Sequence, residues 1–145
     1  MKNDCLTCIF NQDASKAPGG RIKEYEYWIL EHINEPIPVL GWLVLKTKRH
    51  TEGVVGLNKN EAKELGHILH VVPKALKKIV QAENIHIISM NELVKHIHIH
   101  IIPRCKKDEV DSSIISLMDK VKENKDLAKN TEDAKKIVEK LYKKL

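Results

Sequence analysis

From Tyr25 to Ile33, aromatic and apolar residues are interleaved with polar ones, which predicts a strand. Pro36 and Pro38 end it, and Gly41–Lys46 (Gly-Trp-Leu-Val-Leu-Lys) predicts the next strand. Residues 11–21, with Pro18-Gly19-Gly20, predict a loop. Asn58 followed three residues later by Glu61 has the form of a capping box. Beyond it Ala62, Leu65, Leu69, Val72, Leu76 and Ile79 recur at helical spacing and predict one buried stripe. Pro73 falls inside that pattern, so a kink or two short helices are expected. Ile85–Met90 and Val94–Ile102 predict two further strands joined by a turn at Asn91-Glu92. After Pro103, Ser112–Lys122 and Thr131–Leu145 are amphipathic and predict helices. Strands joined by short turns, with helices laid on one face, make an α+β domain built on an antiparallel sheet of about five strands.

Composition narrows the class. The 145 residues carry no repeat and no linker, so a single domain over 1–145 is expected. The longest apolar run, Ile37–Leu45, is nine residues and is interrupted by Pro38 and Gly41. A membrane span needs about 20, so membrane insertion is not expected. The polar start Met1-Lys2-Asn3-Asp4 lacks an apolar signal core, and a cytoplasmic location is expected. A net charge of +5 is a mild bias toward anionic partners and does not single out nucleic acid. Cys5, Cys8 and Cys105 cannot form a disulfide framework.

The chemistry is concentrated in His96-Ile97-His98-Ile99-His100-Ile101-Ile102. In a strand, alternate side chains share a face, so the three histidines project together while the isoleucines enter the core. At a rise of about 3.3 Å per residue, successive histidines stand roughly 6.5–7 Å apart. Three readings compete: a half-exposed strand with a histidine face, a metal site, and nucleophilic catalysis by an imidazole. An unperturbed histidine titrates near pH 6.5, so at neutral pH it offers a free nitrogen to attack phosphorus and a group that water then displaces. His32, His67, His70 and His86 read as structural or surface residues, and Cys105 as an inert thiol.

His96-Ile97-His98-Ile99-His100-Ile101-Ile102-Pro103-Arg104 resembles the signature of the histidine triad (HIT) superfamily, His-φ-His-φ-His-φ-φ with φ apolar. Upstream, Cys5-Leu6-Thr7-Cys8 is similar to the Cys-x-x-Cys of many bacterial and archaeal members. The segment Gly41-Trp42-Leu43-Val44-Leu45-Lys46-Thr47-Lys48-Arg49-His50 is similar to the family's Gly-His-x-Leu-Val-x-Pro-Lys-x-His strand. The resemblance covers a core of about 5–104 and leaves a C-terminal helical extension of about 106–145 outside it.

The resemblance implies an enzyme that hydrolyses or transfers a nucleoside monophosphate group, from a dinucleoside polyphosphate or a nucleoside phosphoramidate. His98 would attack the α-phosphorus and form a covalent nucleotidyl-histidine. His100 would hydrogen-bond the phosphate or the leaving group. Cys5, Cys8, His50 and His96 would hold a structural Zn²⁺, a Cys₂His₂ set with no open position. The resemblance also implies a homodimer formed through the helix and a neighbouring strand.

Departures from the family pattern bear on the substrate. Asn91, Glu92 and Leu93 stand where many members have Gly-Gln-Ser/Thr. Leu93 has no hydroxyl, Glu92 would repel a phosphate, and Asn91 would have to donate through its amide. Asn34 stands where many members bind the ribose hydroxyls with an aspartate, and Trp42 replaces the histidine after the glycine. The alternative reading is therefore a zinc-stabilised nucleotide-binding protein with little turnover. A hydrolase using all three triad histidines on one ion is disfavoured by the roughly 13–14 Å between the outer two. Nucleic-acid binding rests on net charge alone.

Overall fold

The computed structural model describes residues 4–105 and 114–145, with the side chains of 114 and 115 excepted. Helix α1 spans Leu6–Gln12 and is followed by strands β1 (Arg21–Glu24), β2 (Trp28–His32) and β3 (Leu43–Thr47). Helix α2 spans Lys59–Val80, ahead of β4 (Asn84–Ile88) and β5 (His98–Arg104). Helices α3 (Ile114–Glu123) and α4 (Thr131–Lys144) complete the chain. The five strands form one sheet in the order β1-β2-β3-β5-β4, every neighbouring pair antiparallel.

The chain turns from β2 into β3 at a place where glycine is required. Gly41 has φ +82°, and a Cβ there would meet Leu76, Pro103 and Val80 at 3.2–3.3 Å. Its N–H donates to Nε2 of His32 at 2.9 Å, while His32 Nδ1 lies 2.9 Å from the Ile33 carbonyl. His32 is thus a core residue with both ring nitrogens occupied, in line with its structural reading. The β2 strand is shorter than the Tyr25–Ile33 segment because Tyr25 N–H donates to the Trp28 carbonyl and closes a hairpin onto β1. That first strand and α1 lie partly in the segment expected to be loop. Four residues around one buried Ile22 leave no alternation to read.

Helix α2 starts on the expected capping box, with Asn58 Oδ1 accepting from the N–H groups of Asn60 and Glu61 at 2.9 Å. It runs unbroken through Pro73, so the two-helix alternative is not realised. A proline inside a helix costs about 3 kcal/mol, and full burial of Ile68, Val72 and Leu76 returns about 1.5–3 kcal/mol per side chain. The buried stripe is rotated from the expected one: Ile68 and Ala75 belong to it, and Ala62 is exposed. Glu61 turns inward to accept from Arg49 at 2.8 and 3.0 Å, which carries its neighbour Ala62 outward.

Two findings set up the site. The connection from β4 to β5 is the loop 89–97, not a tight turn at Asn91-Glu92, and β5 starts at His98 rather than Val94. His96 is drawn to the other side, bridging to Glu52, and Ile97 N–H donates to the Thr51 carbonyl at 2.8 Å. Helices α2 and α4 pack with Trp28, Leu30, Leu43, Leu45, Ile99 and Ile101 on one sheet face. Helix α3 approaches the opposite face, where Leu117 and Met118 meet Val39, Trp42 and Ile102. The start of the Ser112–Lys122 segment lies outside the described residues.

Candidate functional site

The two ends of the histidine run do different things. His96 groups with His50, their rings 5.0 Å apart and edge-on. Helix α1 presents Cys8 one turn after Cys5. Cys5 Sγ lies 3.6 Å from His96 Nδ1, and Cys8 Sγ lies 3.4 Å from both His96 Nδ1 and His50 Nδ1. All four donor atoms fall within 4.8 Å of one another. A tetrahedral ion with Zn–S near 2.3 Å and Zn–N near 2.0–2.1 Å sets sulfur and nitrogen about 3.6 Å apart. The four residues therefore fit a four-coordinate metal of zinc type in both spacing and donor chemistry.

The remaining nitrogen of His96 is tied down. Nε2 lies 3.0 Å from the Thr47 carbonyl and 2.9 Å from Thr47 Oγ1, whose hydroxyl donates to the Arg49 carbonyl. His96 therefore carries its proton on Nε2 and turns the Nδ1 lone pair to the thiols, the arrangement a metal-binding histidine needs. Burial is the main reason that its pKa is lowered to about 4.

His98 and His100 form the second centre, rings 5.1 Å apart and edge-on. His98 Nδ1 donates to the His96 carbonyl at 2.8 Å, which leaves the Nε2 lone pair for a ligand or an electrophile. The Asn91 amide braces the same carbonyl at 3.3 Å, and Ser89 Oγ lies 3.0 Å from Asn91 Oδ1 and 3.1 Å from the His98 carbonyl. Asn91 is thus engaged on the Nδ1 side of His98. His100 accepts at Nδ1 from the Trp42 indole N–H at 2.9 Å. Burial first, and then the neighbouring His98, lower its pKa to about 4, so it is neutral at physiological pH.

Two adjoining cavities, of about 340 and 430 Å³, share His98, His100, Val94, Met118 and Lys122. The first runs past Asn34 toward Phe10 of α1 and the buried ion pair Glu31–Lys46, 2.6 Å between charged atoms. The second is bounded by Trp42, Ile88 and Glu92. Leu93, at the position where the family carries a hydroxyl, is fully exposed.

The structure brings Cys5, Cys8, His50 and His96 into one cluster, and Asn34, His98 and His100 onto one cavity. It does not assemble the three triad histidines around a single point, because His96 belongs to the cysteine cluster. Sequence reasoning missed four contributors: Trp42 as the partner of His100, Ser89 behind His98, and Met118 and Lys122 from α3. Trp42 was open to detection, since it lies diagonally across the β3–β5 ladder from His100 and aromatic side chains reach diagonal neighbours.

No family model matches the chain, and no curated protein matches it. Solved structures do. A Hit-like protein from Bartonella henselae, described as involved in cell-cycle regulation and solved with an unknown ligand, is similar over 100% of this chain and 98% of its own, at TM-score 0.73 and 19% identity. A hypothetical histidine triad nucleotide-binding protein from Sulfolobus tokodaii is similar over 97% of this chain and 91% of its own, at TM-score 0.70 and 16% identity. A zinc-bound histidine triad family protein from Mycobacterium smegmatis gives 97% and 94%, again at TM-score 0.70 and 16% identity. At these identities the likeness is one of fold, and the chain has the histidine triad fold. Among the described residues no helix is long and apolar enough to cross a membrane.

Proposed function

We propose that this protein hydrolyses or transfers a nucleoside monophosphate group through a covalent nucleotidyl-histidine at His98. The observation that carries the reading is the tautomer of His98. Its Nδ1 proton is committed to the His96 carbonyl at 2.8 Å, so the nucleophilic nitrogen is Nε2, on a residue that lines both cavities. In the reaction Nε2 bonds to the α-phosphorus as the bond to the leaving group breaks. Water then displaces the histidine, releasing a nucleoside monophosphate. His100, neutral and a donor through Nε2, stabilises charge on the phosphoryl oxygens or the leaving group. Asn34 bounds the cavity where a ribose would lie, and the Asn91 amide supports the nucleophile's own carbonyl partner.

The test is release of AMP from adenosine phosphoramidate and from diadenosine tetraphosphate, with His98→Ala as the control. Release that disappears in His98→Ala supports the reading. Equal release by variant and wild type on both substrates refutes it.

A second reading, nucleotide binding with little turnover, is favoured by one observation: fully exposed Leu93 and the exposed Glu92 carboxylate occupy the phosphate loop. Calorimetry with AMP decides it, since absence of any binding heat removes this alternative.

The metal we assign to the Cys5–Cys8–His50–His96 cluster is Zn²⁺, in a closed structural site whose chemistry is to cross-link α1 to β3 and β5. The zinc-bound neighbour from Mycobacterium smegmatis supports it. A single domain over 1–145, a cytoplasmic location and a homodimer remain part of the proposal. The dimer would form through α2 and β4, which stands at the sheet edge. Sedimentation of the purified protein tests the last of these.

A further inference from the structure

Trp42 controls what His100 can do. The indole Nε1–H points at His100 Nδ1 from 2.9 Å, and the rings meet edge-on, centroids 5.6 Å apart. An indole nitrogen is a donor only, so His100 must accept at Nδ1 and hold its single proton on Nε2. An imidazolium carries N–H on both nitrogens and would set N–H against N–H. Trp42 has no room to turn away, being 1% exposed and packed with Val39 and Ile102.

We propose, resting on the nucleotidyl-transfer reading above, that Trp42 is a positioning residue that locks His100 as a neutral Nε2–H donor. The site thereby favours substrates whose leaving group departs as a stable anion over substrates whose leaving group must first be protonated. The balance of the step shows why. When His98 Nε2 bonds to phosphorus, the P–O or P–N bond breaks and its electron pair goes with the leaving group. A phosphoanhydride releases a phosphate oxyanion, which is stable near neutral pH because the second phosphate pKa is near 6. A phosphoramidate would release an amide anion, which is not viable in water, so a proton has to arrive from an acid. A neutral imidazole giving a hydrogen bond from its only N–H is not that acid. An imidazolium would be, and Trp42 forbids it.

The other ionisable groups around His100 do not undo the lock. His98, its neighbour on the strand, acts in the same direction and disfavours a charge on His100. Glu31 and Lys46 neutralise each other across β2 and β3. On α3, Lys122 lies 3.8 Å from Asp119. His32, with both nitrogens occupied, and the exposed Glu35 and Glu92 complete the cavity walls.

The lock is read directly, without nucleotide, by long-range proton–nitrogen correlation of the ¹⁵N-labelled histidine rings, with His100 assigned by difference from His100→Asn. The expected spectrum shows the Nε2–H tautomer of His100, unchanged between pH 8 and pH 5. An Nδ1–H tautomer, or titration near pH 6.5, overturns the proposal. Trp42→Phe keeps an aromatic ring and removes the N–H. In this variant the tautomers mix, and each unit by which the His100 pKa rises multiplies the imidazolium fraction about tenfold well above that pKa. The kcat/KM ratio of adenosine phosphoramidate to diadenosine tetraphosphate is therefore expected to favour the anhydride in the wild type, and to rise at least about tenfold at pH 6 in Trp42→Phe. An unchanged ratio in a variant with normal metal content overturns the substrate preference. Failure to turn over either nucleotide overturns that preference together with the function reading, while the spectrum still decides the lock.

Discussion

Removal of the metal proposed for the cysteine–histidine cluster should loosen the N-terminal helix and weaken the cavity that His98 lines. The magnitude follows from what the cross-link closes. Cys8 and His50 are 42 residues apart in sequence. Closing a loop of that size restricts the unfolded chain by about 4 kcal/mol on the chain-entropy model. Counting this loop alone gives the smaller figure, because His96 would close a further loop in the unfolded chain. For a chain of this size, about 4 kcal/mol corresponds to a Tm loss of roughly 8–16 °C. Beyond the cluster, helix α1 is held by Asn11, whose side chain donates to the Thr47 carbonyl at 2.9 Å and whose backbone carbonyl accepts from Arg21, while Leu6 and Ile9 are exposed. Leu6, Thr7 and Phe10 also line the cavity that contains His98. The assay is calorimetric melting of metal-loaded and chelator-stripped protein, beside Cys8→Ser, with metal content and AMP affinity measured on the same samples. The reasoning fails if stripped and loaded protein melt within 2 °C, or if Cys5→Ser/Cys8→Ser retains one equivalent of metal.

Glu61→Ala should cost about 2–4 kcal/mol, because the carboxylate accepts from Arg49 and from the Asn58 N–H that starts α2, and charged hydrogen bonds contribute about 1.5–3 kcal/mol each. Urea unfolding measures it, and Glu61→Gln, which keeps an acceptor for the cap, should lose less. The pH dependence has a definite sign. Arg49 first, with the Asn58 N–H adding to it, holds Glu61 below the usual carboxylate range, so its contribution is present above about pH 4.5 and is lost as pH falls through the lowered value. Burial lowers the pKa of His32 and takes that of His100 to about 4, so the unfolded chain takes up protons first and stability falls as pH drops below about 6.5. For His100 alone the loss by pH 5 is about 2 kcal/mol, and Tm measured from pH 7 to 5 should show it, with a smaller slope in His100→Asn. Pro73→Ala should raise stability by up to about 3 kcal/mol if the ring is only tolerated in α2, and a fall in the urea midpoint would refute that.

Much of this architecture was legible because its signals are periodic or local. Alternation of histidine and isoleucine placed β5 and its buried face, and the Asn58–Glu61 pair placed the start of α2. The four residues expected to hold a metal came from resemblance, and the structure brings them within 4.8 Å of one another. What escaped was decided by contacts distant in sequence. His96 leaves the β4 side because the 51–53 segment and the cysteines draw it across, so a pattern that looked like one strand serves two centres. The helical phase of α2 shifted because Glu61, a charged residue, is buried by Arg49 and its own cap. In the sequence Trp42 is a replacement for the family's histidine and no more. Its role depends on a donor-only nitrogen facing one particular ring atom, which hydropathy patterns do not record.

The path of α3 has a consequence in time as well as in space. All four residues of the cysteine–histidine cluster lie at or before position 96, whereas Met118 and Lys122 come from a later helix. A chain emerging from its N-terminus therefore has every ligand for the ion before the walls of the histidine cavity are complete. On the proposed reading the cross-link can form before α3 closes the cavity, so a partly made chain can hold a metal while the wall beside His98 and His100 is still missing.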